Sequence, residues 1–135
     1  MSAKPNRAVP RPLSLKDAFE TEFARREMER RAQQEAERRL QEQDLAGAER
    51  LVAALSADPA FLETHGLTVD RRRYTVSLDH ERFRIAAYFE AGAVSVTATD
   101  TRNAAPGALP RRQETADSVE TALRIIAQFL VDETR

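Results

Sequence analysis

The stretch YTVSLDHERFRIAAYFEAGAVSVTAT, Tyr74 to Thr99, alternates apolar and polar residues in three successive runs. Tyr74, Val76 and Leu78 form the first apolar set. Phe83, Ile85, Ala87 and Phe89 form the second, and Val94, Val96 and Ala98 the third. Successive strand side chains point to opposite faces, so each set lines one side of a sheet. Thr75, Ser77, Arg84, Ala86, Tyr88, Ser95 and Thr97 fall on the other side and suit a solvated face. The pattern predicts a three-stranded antiparallel meander with one covered and one open face. Asp79-His80-Glu81 supplies the first turn. Glu90-Ala91-Gly92-Ala93 supplies the second, where Gly92 offers positive φ.

Working outward, two stretches have the apolar stripe needed to cover that sheet. Leu45, Ala48, Val52 and Leu55, with Leu51 beside them, recur at helical spacing. Gly47 in that segment is disfavoured by about 1 kcal/mol relative to Ala, and reads as a bend. On the C-terminal side, Val119, Leu123, Ile126 and Leu130 recur at +4, +3, +4, widened by Ala122, Ile125 and Phe129. This last helix is expected to start at Thr115 or Asp117. Between the first helix and the meander, Asp58-Pro59 opens a short helix that Gly66 closes. Leu67-Thr68-Val69 reads as an extended lead-in, Asp70 to Arg73 as a charged loop or edge, and Asp100 to Glu114 as a long connection. The class is α+β, a two-layer domain whose meander is covered on one face by helices.

A long charged helix precedes this domain. Ser14 as N-cap with Asp17 three residues on resembles a capping box. Leu15, Ala18, Phe19 and Phe23 make a short apolar stripe. From Arg25 to Asp44 the chain is built of helix formers, with Glu22–Arg26, Glu27–Arg31 and Glu35–Arg39 pairs at i, i+4. Only Met28, Ala32, Ala36 and Leu40 interrupt the charge there. Their uniform spacing of four drifts about 40° per step, unlike a strong coiled-coil seam. The expected organisation is a basic, proline-rich disordered tail over 1–13, a charged helical extension over 14–45, and an α-α-β-β-β-α domain over 46–135.

In element order alone, α-β-β-β-α over residues 46–132 resembles double-stranded RNA-binding domains, and is similar to a class of dimerising nucleoid proteins. The former carry a Gly-Pro-x-His loop between their first two strands and a Lys-rich start to the last helix. This chain reads Leu78-Asp79-His80-Glu81 and Glu114-Thr115-Ala116-Asp117 at those places. The likeness is one of topology, which many functions share, and no family is claimed from it.

Composition narrows the function. The 135 residues carry 21 basic and 22 acidic side chains, a net charge of −1. That balance supplies no global basic field for nucleic acid. Of the basic residues only Lys4 and Lys16 are lysine, a bias that reads as a GC-rich, bacterial genome. Cysteine is absent, which removes disulfides, thiolate nucleophiles and Cys-based metal sites. No apolar run reaches the roughly 20 residues of a membrane span, and residues 1–13 have no apolar stretch suited to a secretory signal, so neither is expected. A cytoplasmic protein is expected.

No motif carries recognisable chemistry. His80, between Asp79 and Glu81, is read as a turn residue, because adjacent residues rarely converge on one point. The four glycines are too widely spaced for a phosphate-cradling loop, and no GxSxG is present. Neither catalytic residues, nor a cofactor, nor a metal is expected. The favoured function is a small non-catalytic, adaptor-like protein that self-associates as a homodimer or binds a protein partner through its charged N-terminal helix. Leu15, Phe19, Phe23 and Met28 are the expected contact residues. The alternative is a nucleic-acid-binding module in which Arg71, Arg72, Arg73, Arg84, Arg111 and Arg112 form one basic surface.

Overall fold

A computed structural model of the chain describes residues 13–101 and 110–135. The expected tail, apart from Leu13, and residues 102–109 of the long connection lie outside the described residues. The elements are α1 (Leu15–Leu55), α2 (Pro59–Thr64), β1 (Thr68–Arg72), β2 (Thr75–Asp79), β3 (Phe83–Glu90), β4 (Ala93–Asp100), β5 (Arg112–Ala116) and α3 (Val119–Thr134). The chain divides into two units, Met1–Glu37 and Arg38–Arg135.

In the second unit the fold is α+β, with an antiparallel sheet in the order β1-β2-β3-β4-β5. The meander is therefore five strands, not three. Its centre follows the alternation. Ile85 lies opposite Leu78 and Ala98, and Ala87 lies opposite Val76 and Val96. These residues and Phe83, Phe89 and Val94 are buried on one face. Burying each large apolar side chain stabilises the fold by about 1.5–3 kcal/mol. Ala48 and Leu51 of α1 and Ala122, Ile125, Ile126 and Phe129 of α3 complete the same core.

The two added strands are the sheet edges. Thr68–Arg72 was expected as lead-in and loop; it pairs with β2 in the register Asp70↔Ser77 and Arg71↔Val76. Arg112–Ala116 was expected inside the long connection; it pairs with β4, Val94 facing Ala116 and Ala98 facing Arg112. Edge strands accept charge where a central strand does not, which hid both from an apolar count. Their covered-face arginines reach over the core rim. Arg71 meets Glu49 of α1 at 3.6 Å, and Arg112 meets Asp132 of α3 at 2.8 Å.

Other boundaries also move. The last helix begins at Val119, because Ser118 is the N-cap and its hydroxyl accepts from the Thr121 N–H at 3.1 Å. Residues 115 and 116 belong to β5. Gly47 does not interrupt α1; the glycine is there for space. A Cβ at that position would stand 2.8 Å from the Phe89 ring. The short helix is as expected, with the Asp58 carboxylate accepting from Phe61 N–H and Gly66 at positive φ. Ser77, expected on the solvated face, is buried there and donates to Asp79 at 3.2 Å.

Candidate functional site

The first unit holds one helical segment beginning at Leu15. Its cap forms as the sequence implies, the Asp17 N–H donating to Ser14 Oγ at 3.2 Å. Ion pairs then line the helix surface. Glu22 accepts from Arg26 at 2.7 Å and from Arg25 at 2.5 Å, Arg25 reaches on to Glu29 at 2.6 Å, and Glu27 pairs with Arg30 and Arg31. The hydrogen bond from Arg25, with that from Arg26, holds the Glu22 carboxyl down at about 2. Glu27 is lowered in the same way, chiefly by the hydrogen bond from Arg30. Arg25, Arg26 and Arg30 are raised by these carboxylates. Surface pairs of this kind support a helix without fixing a partner.

Three large apolar side chains are left outside this charge lattice. Leu15 is 87% exposed, Phe19 64% and Phe23 61%. They stand at i, i+4 and i+8, and the Phe19 and Phe23 rings stack with centroids 6.0 Å apart. Met28 is also exposed, but at 100° per residue it lies about 140° around the helix from Phe23, nearly opposite the aromatic face. The expected contact set therefore separates into a three-residue face and one residue outside it.

No protein-family model, no curated protein and no solved structure matches this chain.

The six arginines of the nucleic-acid reading do not form one surface, although Arg72 and Arg84 line a shared cleft of about 170 Å³ on the open sheet face, with Asp70 between them in its lining. Arg71 and Arg72 lie on β1 and Arg112 on β5, at opposite sheet edges four strand spacings apart, about 19 Å. Arg84 lies on the open face of β3 and donates to Asp79 at 2.5 Å. Arg111 pairs with Glu133, and Arg72 approaches Asp70 at 3.6 Å. Arg73 occupies the β1–β2 turn at φ 58°, with its guanidinium over the Tyr74 ring.

The histidines have structural partners. His80 stacks on Phe83 with centroids 4.5 Å apart, and its Nδ1 accepts from the Arg82 N–H at 3.0 Å. The His65 ring lies against Phe61 at a tilt of 34°, with centroids 4.2 Å apart. Among the described residues no group of three or more His, Cys, Asp or Glu is placed to hold a metal ion. Among the described residues no helix is long and apolar enough to cross a membrane.

One residue escaped the sequence reading. Asp44 is buried within the second unit, and its two oxygens accept from the N–H groups of Ala91 at 2.9 Å and Gly92 at 3.0 Å. Both turn residues have positive φ, 53° and 83°, as a two-residue type I′ hairpin requires. It sits in a cleft of about 390 Å³ that Gly47, Arg50, Phe89 and Ser118 help to line. Among the described residues, these two bonds tie helix to hairpin, a structural role. The available signal was that Asp44 is the sole aspartate between Asp17 and Asp58, in a run otherwise made of helix formers.

Proposed function

We propose that this chain is a cytoplasmic, non-catalytic interaction protein whose N-terminal helix recruits a protein partner, or a second copy, through Leu15, Phe19 and Phe23. The observation that carries the reading is the exposure of those three side chains on one face of one helix. Scattered apolar residues are ordinary on a surface, whereas a contiguous aromatic stripe marks an interaction site. An amphipathic helix with anchors at i, i+4 and i+8 is a common way to fill an apolar groove. The nucleic-acid alternative draws less support, since Arg71, Arg84, Arg111 and Arg112 are each already engaged by a carboxylate.

The test compares wild type with a Phe19→Ser, Phe23→Ser double variant as immobilised bait in source lysate. The wild type should retain a protein, itself or another, that the double variant loses at equal thermal stability. Identical retained proteins on both baits would refute the reading.

A further inference from the structure

We infer that the second unit carries a binding site for a small uncharged apolar molecule, about one aromatic ring in size, where the end of α1, α2 and α3 meet beside β2. The N-terminal helix has no part in it. The cleft there holds about 210 Å³ and is walled by Leu55, Leu62, Leu78, Leu123 and Ile126. Leu78 and Ile126 are core residues, 2% and 3% exposed, so the cleft reaches the core itself.

The sequence explains the gap. α1 ends at Leu55, and Asp58 restarts the chain as α2. The Leu67 N–H donates to the Leu62 carbonyl at 2.8 Å, which ties α2 to the chain entering β1. From α3 come Leu123, Ile126, Ala127 and Leu130, one helical face at i, i+3, i+4 and i+7. Ala54 on α1 and Ala127 on α3 also line the cleft. Each stops at Cβ, so the space beside it is left unfilled.

Charge and size select the occupant. Among the described lining residues only Asp58 is ionisable, and its carboxylate is committed to capping α2, accepting from the Phe61 N–H at 3.2 Å. No cation among them can pair an anion, and an unpaired charge against these walls is strongly disfavoured. A cavity of about 150 Å³ lined by Leu, Ile and Phe stays dry and takes benzene, whereas drug-sized ligands need about 300 Å³ or more. The space here falls between the two, room for one substituted ring. Phe61, 44% exposed, is in the lining and offers that ring an aromatic neighbour.

The experiment uses the full chain, with toluene as the probe and methyl and amide NMR shifts as the readout. Wild type should show saturable shifts centred on Leu55, Leu62, Leu78, Leu123 and Ile126, with a dissociation constant of about 1 mM, as suits so small a ligand. Benzoate and benzylamine carry the same ring with either charge, and should bind about tenfold more weakly or less. Ala127→Leu should weaken toluene binding by about tenfold or more while melting at or above the wild-type temperature, because leucine is a good helix former and fills apolar space. Should Ala127→Leu melt lower, Ala54→Leu makes the same test from the other helix. Toluene shifts that fail to saturate or that spread over the surface would overturn the inference. So would a charged ring that binds as well as toluene, or a folded cleft-filled variant that binds toluene as well as wild type does.

Discussion

The Asp44 carboxylate accepts a hydrogen bond from the backbone N–H of Gly92 at 3.0 Å, and its other oxygen accepts from the neighbouring Ala91. A helix residue thereby fixes a hairpin 48 positions away in sequence. It also bears on Ala91, a non-glycine residue held at φ 53°. The left-handed region is unfavourable for such a residue by about 1–2 kcal/mol. The hairpin tolerates this because strand register, with Glu90 opposite Ala93, and the Asp44 bonds both demand it. Asp44→Ala should lower stability by about 2 kcal/mol, since hydrogen bonds to a charged acceptor are worth about 1.5–3 kcal/mol. Asp44→Asn keeps one acceptor oxygen and should lose about half as much. Urea unfolding of the three proteins checks the order, and an unchanged midpoint for Asp44→Ala would show that water replaces the carboxylate without loss.

The same residue bears on where the chain can be cut. A fragment of residues 38–135 contains Asp44, the core and both covering helix faces, and should melt cooperatively within a few degrees of the full chain. A fragment of residues 46–135 lacks both Asp44 and Leu45, the first residue of the apolar stripe, and should melt lower by at least the cost of Asp44→Ala. For a domain of about 100 residues that is roughly 8–16 °C. Equal melting temperatures for the two fragments would mean that the domain begins at the apolar boundary and Asp44 is dispensable.

Gly47 gives the reverse of its helix propensity. In an exposed helix, Gly→Ala is stabilising by about 1 kcal/mol. Here the new Cβ would lie 2.8 Å from Phe89 Cε2 and 3.0 Å from Cδ2, against a buried ring. Overpacking of this kind typically costs 1–3 kcal/mol. Gly47→Ala should therefore be net destabilising by about 1 kcal/mol, and the loss should shrink when Phe89→Leu is added. A stabilised Gly47→Ala would mean that the ring moves aside at no cost.

These sites show what the sequence could and could not disclose. Phe83, Ile85, Ala87 and Phe89 announce a strand because a central strand must sort its residues strictly between two unlike faces. The helix stripes ending at Leu55 and beginning at Val119 were legible for the same reason. Asp70-Arg71-Arg72 and Arg112-Gln113-Glu114 carried no such signal. At a sheet edge the covered-face position holds an arginine that reaches a helix carboxylate, so apolar periodicity is lost where the strand persists. Asp44 and Gly47 act through single close contacts between segments more than 40 residues apart, which no local window registers. The exposed triplet was visible as composition, yet Met28 joined it only by proximity in the chain and leaves it once the helix is given its 3.6-residue turn.

Two carboxylates of the N-terminal helix, Glu22 and Glu27, should be resistant to acid. Glu22 is held at about 2, below its ordinary 4.5, by Arg25 and then Arg26. A carboxyl depressed in the folded state contributes fully above its unfolded value and loses that contribution as pH falls through its folded one. The contribution of Glu22 to the helical signal should be complete above about pH 4.5 and be lost as pH falls towards 2. Glu22→Gln should abolish that late decline more than Glu20→Gln, whose carboxylate pairs with Lys16. A midpoint near 4.5 in the wild type would show that the pairs do not persist in solution.

The closing edge of the sheet permits a sharper test, because two contacts of Arg112 can be separated. Its guanidinium pairs with Asp132 at 2.8 Å and also lies over the Phe129 ring at 5.9 Å. Asp132 sits in the last turn of α3, where no basic residue accompanies it and the helix dipole disfavours a carboxylate by about 0.3–1 kcal/mol. Removing that carboxylate loses the ion pair but relieves the dipole, so Asp132→Asn should change stability by no more than about 0.5 kcal/mol. Arg112→Gln relieves nothing and leaves Asp132 unpartnered by it, so it should cost about 1 kcal/mol. In an Asp132→Asn background the cost of Arg112→Gln should fall by about 0.5 kcal/mol, the range of a half-exposed pair. The remainder belongs to the ring contact and should survive 1 M salt, whereas the coupling should not. Urea titrations of the four proteins at low and high salt measure both quantities. A cost for Arg112→Gln that is the same in both backgrounds would assign the edge to the Phe129 contact alone, and the pairing with Asp132 would then be incidental to stability.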